Sequence, residues 1–139
     1  MKNLKLIALT FAISLCSLPS FSQDKMGQVY FIRSLNYMGS AVPYNFYIDG
    51  ELTCKVKNKN YSVHTLPVGS HSITVQNTGL GSHHISRALN INVEEGKAVY
   101  VTVVNASGLY LEEVTASSGE SLLKTVVLTR QCLPKSKKK

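Results

Sequence analysis

Much of the chain alternates apolar and polar residues, the pattern of a strand that buries one face. Four segments have this alternation: residues 44–49, 52–57, 71–76 and 89–93. Two further runs, residues 29–32 and 99–104, are apolar on both faces, which is typical of a central strand or of one covered on both sides. The sequence therefore predicts an all-β fold.

Turn residues separate these runs. The sequence has four tight-turn signals, at Asp49-Gly50, residues 58–60, Pro67-Val68-Gly69 and residues 94–97. Asp-Gly between two alternating runs predicts a type I′ hairpin with Gly50 at positive φ, which would keep Ile48 and Leu52 facing inward. Strands separated by turns at this spacing are typical of a β-sandwich. We predict a single antiparallel β-sandwich of seven to nine strands.

The end of the domain fits two structures. The apolar residues Leu122, Leu123, Val126 and Val127 have helical spacing, and Ser118 is a suitable N-cap. In contrast, the β-branched stretch 125–129 suits a strand. We favour one short helix or helical turn near residues 120–124.

The N-terminus has the three parts of a secretory signal peptide. Lys2 and Lys5 precede the apolar run 6–18, and Ser20 and Ser22 stand at −3 and −1 of a cut before Gln23. The apolar run is too short to span a bilayer as a helix. We predict a signal peptide over 1–22, a flexible N-terminus over 23–27, a β-sandwich domain over 28–133 and a disordered Lys-rich tail over 134–139.

Two alternatives apply to this leader. It could stay uncut as an anchor, or Cys16 could be the lipid-modified cysteine of a lipoprotein. Lipoprotein processing needs a small residue before the cysteine, and Leu15 is large. The favoured location is therefore the periplasm or the exterior, with the lipoprotein anchored through Cys16 as the alternative.

The positive charge is concentrated at the C-terminus. The 139 residues have a formal charge of +7, and four of the positive charges belong to Lys135, Lys137, Lys138 and Lys139. A nucleic-acid-binding protein usually spreads its basic residues over one folded face, so we expect no nucleic-acid partner. The tail could make a weak contact with anionic surfaces, and the alternative, a solubilising disordered end, is at least as well favoured. The partner that we expect is an unknown envelope component or protein.

No motif points to catalysis, a metal or another cofactor. The four histidines are His64, His71, His83 and His84. His83 and His84 are adjacent and would point apart on an extended chain, and we expect His71 on the apolar face of its strand. There is no Gly-x-Ser-x-Gly nucleophile motif. The alternative, a small secreted hydrolase or metal-dependent enzyme, would be favoured if two or more of these histidines lined one polar pocket.

Two smaller features have structural and functional interpretations. The strand tyrosines Tyr47, Tyr61, Tyr100 and Tyr110 would form a carbohydrate platform if several shared a face, although at least half of them suit core or rim packing. Cys54 and Cys132 remain after cleavage and could pair in an oxidising compartment. We slightly favour the opposite alternative, in which Cys54 is a small buried apolar residue and Cys132 frays with the tail.

Three ordered motifs carry a resemblance to known families. They are a hairpin over residues 46–52, a strand entry over residues 66–75 with Pro67, Gly69 and His71, and a later strand over residues 96–101. In this order, and with the opening run 29–33, the chain resembles the exported bacterial domain-of-unknown-function family 2846 from Gln28 to Leu123. It is more distantly similar to the surface modules named for a Pro-Glu-Gly-Ala motif, which this chain lacks.

The resemblance implies a small exported β-sandwich, often located at the bacterial envelope. It implies no activity and no catalytic residues. Together with the export signal, it leads us to expect a non-catalytic, envelope-associated binding or structural module of unknown ligand.

Overall fold

The chain forms nine strands and one helix in the part that the structure, a computed structural model, describes: residues 25–34, 41–79, 83–129 and 132. The elements are β1 Met26–Arg33, β2 Tyr44–Ile48, β3 Glu51–Val56, β4 Asn60–Pro67, β5 Gly69–Asn77, β6 Leu89–Val93, β7 Ala98–Asn105, β8 Leu109–Val114, α1 Ala116–Leu123 and β9 Val127–Leu128. The fold is therefore all-β with one short helix. The predicted signal peptide, Cys16 and the lysines of the tail lie outside the described residues.

The strands form two sheets. The five-stranded sheet has the order β8-β7-β1-β4-β9, and the four-stranded sheet has the order β3-β2-β5-β6. The prediction of a wholly antiparallel fold is wrong for the first sheet, where β1 pairs with β7 in parallel and β4 pairs with β9 in parallel. Long connections allow parallel pairing, and β1 and β7 are far apart in the sequence.

One hydrophobic core contains side chains from both sheets. Val29 and Phe31 of β1 belong to it together with Phe46 of β2 and Ile73 of β5, and all four are fully buried. The rings of Phe31 and Phe46 stack with their centroids 4.8 Å apart. Burying a side chain of this kind stabilises the fold by about 1.5–3 kcal/mol.

A second apolar cluster explains why β1 and β7 are apolar on both faces. Ile32 and Tyr100 point away from the main core and cluster with Val126, and Leu122 and Leu123 of α1 pack against them. Gly119 of α1 is buried on Tyr100, and a methyl group at Gly119 would overlap the tyrosine ring. The helix therefore covers part of the outer face of the five-stranded sheet.

The helix begins earlier than predicted. It spans Ala116–Leu123, and its N-cap is Thr115, whose hydroxyl accepts a hydrogen bond from the amide of Ser118 at 3.4 Å. The assignment of Ser118 as the N-cap is therefore wrong. The helix and the strand that the sequence allows for this region both occur, one after the other, since Val127–Leu128 forms the short strand β9.

Asp49 and Gly50 form the turn between β2 and β3, with φ of 51° and 84°. The inward orientation predicted for Leu52 is wrong, since this side chain is 51% exposed. The reason is a register shift: Phe46 is opposite Cys54 but Tyr47 is opposite Leu52, which leaves Thr53 unpaired as a bulge. One extra residue moves Leu52 to the outer side while Cys54 stays buried.

The prediction of a flexible segment over residues 23–27 is wrong at its C-terminal end, because β1 already begins at Met26. Met26 is paired with Pro67 of β4, and its carbonyl accepts a hydrogen bond from the amide of Gly96 at 3.0 Å. Gly27 is buried against the Glu94 turn. These bonds to two neighbouring segments hold the beginning of the strand.

Candidate functional site

Two residues of the sequence motifs, Asp49 and His71, meet at one end of the four-stranded sheet. His71 Nδ1 lies 2.7 Å from Asp49 Oδ2, and His71 Nε2 lies 2.9 Å from the carbonyl oxygen of Pro67. The other oxygen of Asp49 accepts a hydrogen bond from the Ser72 amide at 2.9 Å. These contacts join the β2–β3 turn, the end of β4 and the start of β5. We call Asp49, His71 and Pro67 the turn clamp.

The geometry of the turn clamp fits a protonated imidazole. Both nitrogens of His71 face oxygen acceptors, and only the imidazolium has two N–H donors. The hydrogen bond to Asp49 raises the pKa of His71, and the bond to the Pro67 carbonyl adds to this. The Ser72 amide and His71 lower the pKa of Asp49. Among the described residues, the ring nitrogens of His71 contact a carboxylate and a backbone carbonyl, which are the contacts of a structural ion pair.

His64 has a different environment. It is buried on β4, where Nε2 lies 2.9 Å from the Ser62 hydroxyl and the ring is tilted against Phe31 at 5.0 Å between centroids. Burial lowers its pKa to about 4. His64 is therefore a neutral core residue above that pH.

The other histidines and carboxylates of the described residues lie at exposed positions. His83 and His84 are exposed between β5 and β6, and Glu94 and Glu95 form ion pairs with Lys97 and Lys25. Within residues 25–34, 41–79, 83–129 and 132, no group of three or more His, Cys, Asp or Glu side chains could hold a metal ion.

Cys54 and Cys132 are joined by a disulfide, with Cα atoms 4.9 Å apart. This separation lies within the usual range for a bridge. The sequence allows either a Cys54–Cys132 disulfide or two unpaired cysteines, and the structure has the disulfide. Cys54 is buried on β3 and Cys132 packs against the main core, so the bridge ties the chain beyond β9 to the four-stranded sheet.

Arg33 is a buried polar residue that sequence analysis missed. Its Nη1 donates to the carbonyls of Val42 at 2.7 Å and Val56 at 2.9 Å, and its guanidinium carbon lies 3.7 Å from the centre of the Tyr44 ring. Burial lowers its pKa. The signal was present, because Arg33 follows Phe31 by two residues and therefore lies on the same face of β1.

The outer face of the four-stranded sheet is uncharged at all but one position. Cross-strand partners share a face, so the register defines this surface. We call it the polar face; it consists of Asn45, Tyr47, Leu52, Lys55, Ser70, Ser72, Thr74, Gln76, Ile85, Asn90 and Asn92. Lys55 is its one charged member. Its side chains are half-buried or exposed.

Hydrogen bonds fix the centre of the polar face. Gln76 Oε1 accepts from the Tyr47 hydroxyl at 2.7 Å and from Asn45 Nδ2 at 3.4 Å. Both hydrogen bonds use the oxygen of the Gln76 amide, so its NH₂ group remains as a donor. Asn45 Oδ1 has no partner among the described atoms. These three residues, which we call the amide cluster, hold one aromatic ring and two amides in fixed positions.

The tyrosines do not form a shared platform. Tyr30 stacks on Tyr100 at 4.9 Å and on Tyr61 at 6.4 Å, so both faces of the Tyr30 ring are occupied by neighbouring rings. Tyr100 is buried beneath α1, and its pKa is raised mainly by burial. Tyr47 lies on the other sheet, and Tyr110 is exposed on the edge strand β8. The stacked rings support the helix instead of presenting flat surfaces to a ligand.

A shallow depression of about 490 Å³ lies beside α1 and is lined by Ser117, Ser118, Ser121 and Leu122. It contains none of the histidines, carboxylates or cysteines discussed above. Among the described residues, no helix has the length and hydropathy needed to cross a membrane.

These features define a small all-β protein with two sheets, a turn clamp at one end and an open polar face. The model of the family described as protein of unknown function DUF2846 matches residues 23–117. The chain belongs to this family, and the resemblance seen in its motifs is confirmed. No curated protein matches the sequence.

Proposed function

We propose that this chain is an exported, non-catalytic binding module of the bacterial envelope, built as a β-sandwich. The observation that carries the proposal is the polar face, a surface of four strands with a fixed amide cluster and one charge. An envelope module needs a surface of this kind for its partner. The ligand-binding side is the four-stranded sheet, since α1 covers part of the other sheet.

The sandwich arrangement is supported by the shared core. Phe31 of the five-stranded sheet stacks on Phe46 of the four-stranded sheet, and the buried side chains of both sheets belong to one cluster. Two sheets that bury their inner faces against each other leave two outer faces. One of these carries α1 and the other is the polar face.

The contacts and the burial of the titratable side chains favour a binding role over catalysis. His71 and Asp49 bond to each other and to backbone groups, and His64 is enclosed in the core. A hydrolase needs an activated nucleophile beside such a base. His71 holds a turn and His64 fills part of the core, so we assign no catalytic residue.

Export is supported by the leader sequence and by the disulfide. Residues 1–22 have the order of a signal peptide, and disulfides persist in oxidising compartments. The location that we propose is the periplasm or the cell exterior, with a lipid anchor on Cys16 as the alternative.

The experiment is fractionation of cells that express the full chain, followed by extraction of the envelope fraction with 0.5 M salt. We expect the mature chain in the periplasmic and envelope fractions, with part of the envelope-bound material resistant to salt. A full-length chain confined to the cytoplasm would contradict the proposal. A variant that lacks residues 135–139 separates binding through the lysine tail, which salt should weaken, from binding through the folded domain.

A further inference from the structure

We propose that the polar face binds a neutral glycan chain of the envelope, with the amide cluster at the centre of the contact. This inference rests on the proposed function and specifies the ligand class. It follows from the chemistry of the side chains on the face, their fixed arrangement and the dimensions of the sheet.

The composition of the polar face suits a ligand that is rich in hydroxyl groups. Asn and Gln amides offer both donors and acceptors, and Ser and Thr hydroxyls do the same. A sugar ring presents alternating hydroxyl groups and C–H surfaces, so it needs hydrogen-bonding groups beside apolar ones. Leu52 and Ile85 supply exposed apolar surface, and Leu52 lies directly opposite Tyr47 in the strand register.

The amide cluster is organised before a ligand arrives. The Tyr47 hydroxyl and Asn45 both bond to Gln76 Oε1, which fixes the rotamers of three neighbouring polar side chains. A preorganised surface loses less side-chain entropy on binding than a mobile one. The Gln76 NH₂ then remains to donate to a sugar hydroxyl, beside the ring of Tyr47.

The charge of the polar face argues against other ligands. Recognition of an acidic polymer or an anionic membrane requires clustered Lys or Arg side chains, and Lys55 is the one basic residue on this surface. Recognition of a basic partner requires carboxylates, and the polar face has none. A lipid-binding surface would need a contiguous apolar patch, whereas Leu52 and Ile85 are separated by the amide cluster.

The size of the surface fits an extended chain. Strands are spaced about 4.8 Å apart, so a four-stranded sheet is about 15 Å wide. Its strands have five to nine residues, which corresponds to lengths of about 17 to 30 Å. Such an area accommodates several sugar rings side by side. Its half-buried and exposed side chains are accessible along the strands, as binding along a polymer requires.

The test is co-sedimentation of the mature, disulfide-bonded chain in 0.5 M salt. The probes are protein-free peptidoglycan sacculi, chitin, which has a neutral glycan backbone without peptides, and anionic phospholipid vesicles. We expect binding to sacculi and to chitin, and no salt-resistant binding to vesicles. Absence of binding to both glycans would overturn the inference.

Two variants locate the contact. Tyr47→Ala removes the ring from the amide cluster, and Asn90→Glu adds a charge at an exposed position of the same face. Each should weaken glycan binding at least tenfold. The matched controls are Tyr110→Ala on β8 and Thr65→Glu on β4, both at exposed positions of the other sheet, and they should bind like the parent.

The experiments distinguish failure of the glycan proposal from failure of the proposed function. If Tyr47→Ala and Asn90→Glu bind glycan like the parent, the polar face is not the site and the inference is wrong. If the chain binds vesicles or an envelope protein but neither glycan, the envelope module stands and the ligand class is wrong. Thermal melts of all four variants identify loss of folding, and Asn90→Glu remains informative if Tyr47→Ala unfolds.

Discussion

His64 and His71 respond to pH in opposite ways because one is buried among apolar groups and the other faces two acceptors. In an unfolded chain both would take up a proton near pH 6.5. Burial lowers the pKa of His64 to about 4, whereas the turn clamp raises the pKa of His71. These two histidines therefore contribute to the pH dependence of stability with opposite signs.

We predict that His64 destabilises the domain in acid. Above about pH 6.5 both the folded and the unfolded states hold a neutral His64, so it contributes no pH dependence. Between about pH 6.5 and 4 the unfolded state gains a proton that the folded state lacks, and the free energy of unfolding falls by about 3 kcal/mol. Urea denaturation of the parent and of His64→Gln at pH 4 to 8 checks this, and an equal acid loss in both would contradict it.

The turn clamp should act in the reverse direction. A raised His71 pKa adds stability that is complete below the unfolded value of about 6.5 and is lost as the pH rises through the folded value. The lowered Asp49 pKa sets the acid limit, where the carboxylate becomes protonated. A double-mutant cycle with Asp49→Asn and His71→Gln should therefore give a larger coupling free energy at pH 5.5 than at pH 9. Equal coupling at both pH values would mean that the histidine is not charged.

Gly119 is required by the contact between α1 and β7. An added methyl group would overlap the Tyr100 ring beneath the helix. We expect Gly119→Ala to destabilise the domain by about 1–3 kcal/mol, as overpacking does, although alanine is the better helix former. Ser117→Ala, at an exposed position of the same helix, is the control. An unchanged melting temperature for Gly119→Ala would show that the helix can move away from the sheet.

At the level of elements, the β2–β3 hairpin depends on positive φ at two successive residues. Gly50 has a φ of 84°, and a β-branched side chain is strained there. Gly50→Val should therefore reduce the free energy of unfolding by about 1–2 kcal/mol, while Gly50→Asn should cost less because Asn tolerates this region. Chemical denaturation measures both, and equal stability of all three proteins would contradict this account of the turn.

The disulfide should contribute more than any one turn. It closes a loop with a sequence separation of 78, for which the loop-closure model gives about 4.5 kcal/mol of stabilisation. Cys132→Ser removes the bridge at the less buried end, so the lost stability comes mainly from the bridge. Treatment with reductant should destabilise the parent by a similar amount and leave the variant unchanged. A reductant-insensitive parent would contradict the pairing.

Apolar–polar alternation predicts the strands whose inner faces are apolar. It is less informative where the inner face has polar residues or where a bulge changes the register. Phe46 and Ile73 face the core as their period-two pattern indicates. The inner face of β4 has Ser62 and His64 instead, so this strand lacks an apolar signal. The bulge at Thr53 is also invisible in the sequence, because one unpaired residue changes the register without changing the composition.

At the scale of the whole molecule, the pairing of distant segments was the part that the sequence did not reveal. Both faces of β1 and β7 are apolar, which indicated central strands, but nothing local shows that they are neighbours in parallel. The turn clamp depends on the same kind of information. Asp49 meets His71 because β2 pairs with β5 so that Ile48 lies opposite Ile73, which brings the turn beside the start of β5.

The polar face, like the turn clamp, could not be predicted as an assembled site from the sequence. Its members were recognisable as the polar positions of alternating strands. Their assembly into one surface with a single charge depends on the strand order β3-β2-β5-β6 and on the bulge that turns Leu52 outward. The candidate site is therefore a property of the sheet and not of one sequence motif.

The most direct test of the exported module is the intact mass of the chain isolated from its cells without reductant and after alkylation. We predict the mass of residues 23–139 with two hydrogens fewer than the reduced chain and no alkyl group, which reports cleavage and the Cys54–Cys132 bridge together. A mass of the full 139 residues with alkylated Cys54 and Cys132 would contradict export, and with it the account of an envelope module.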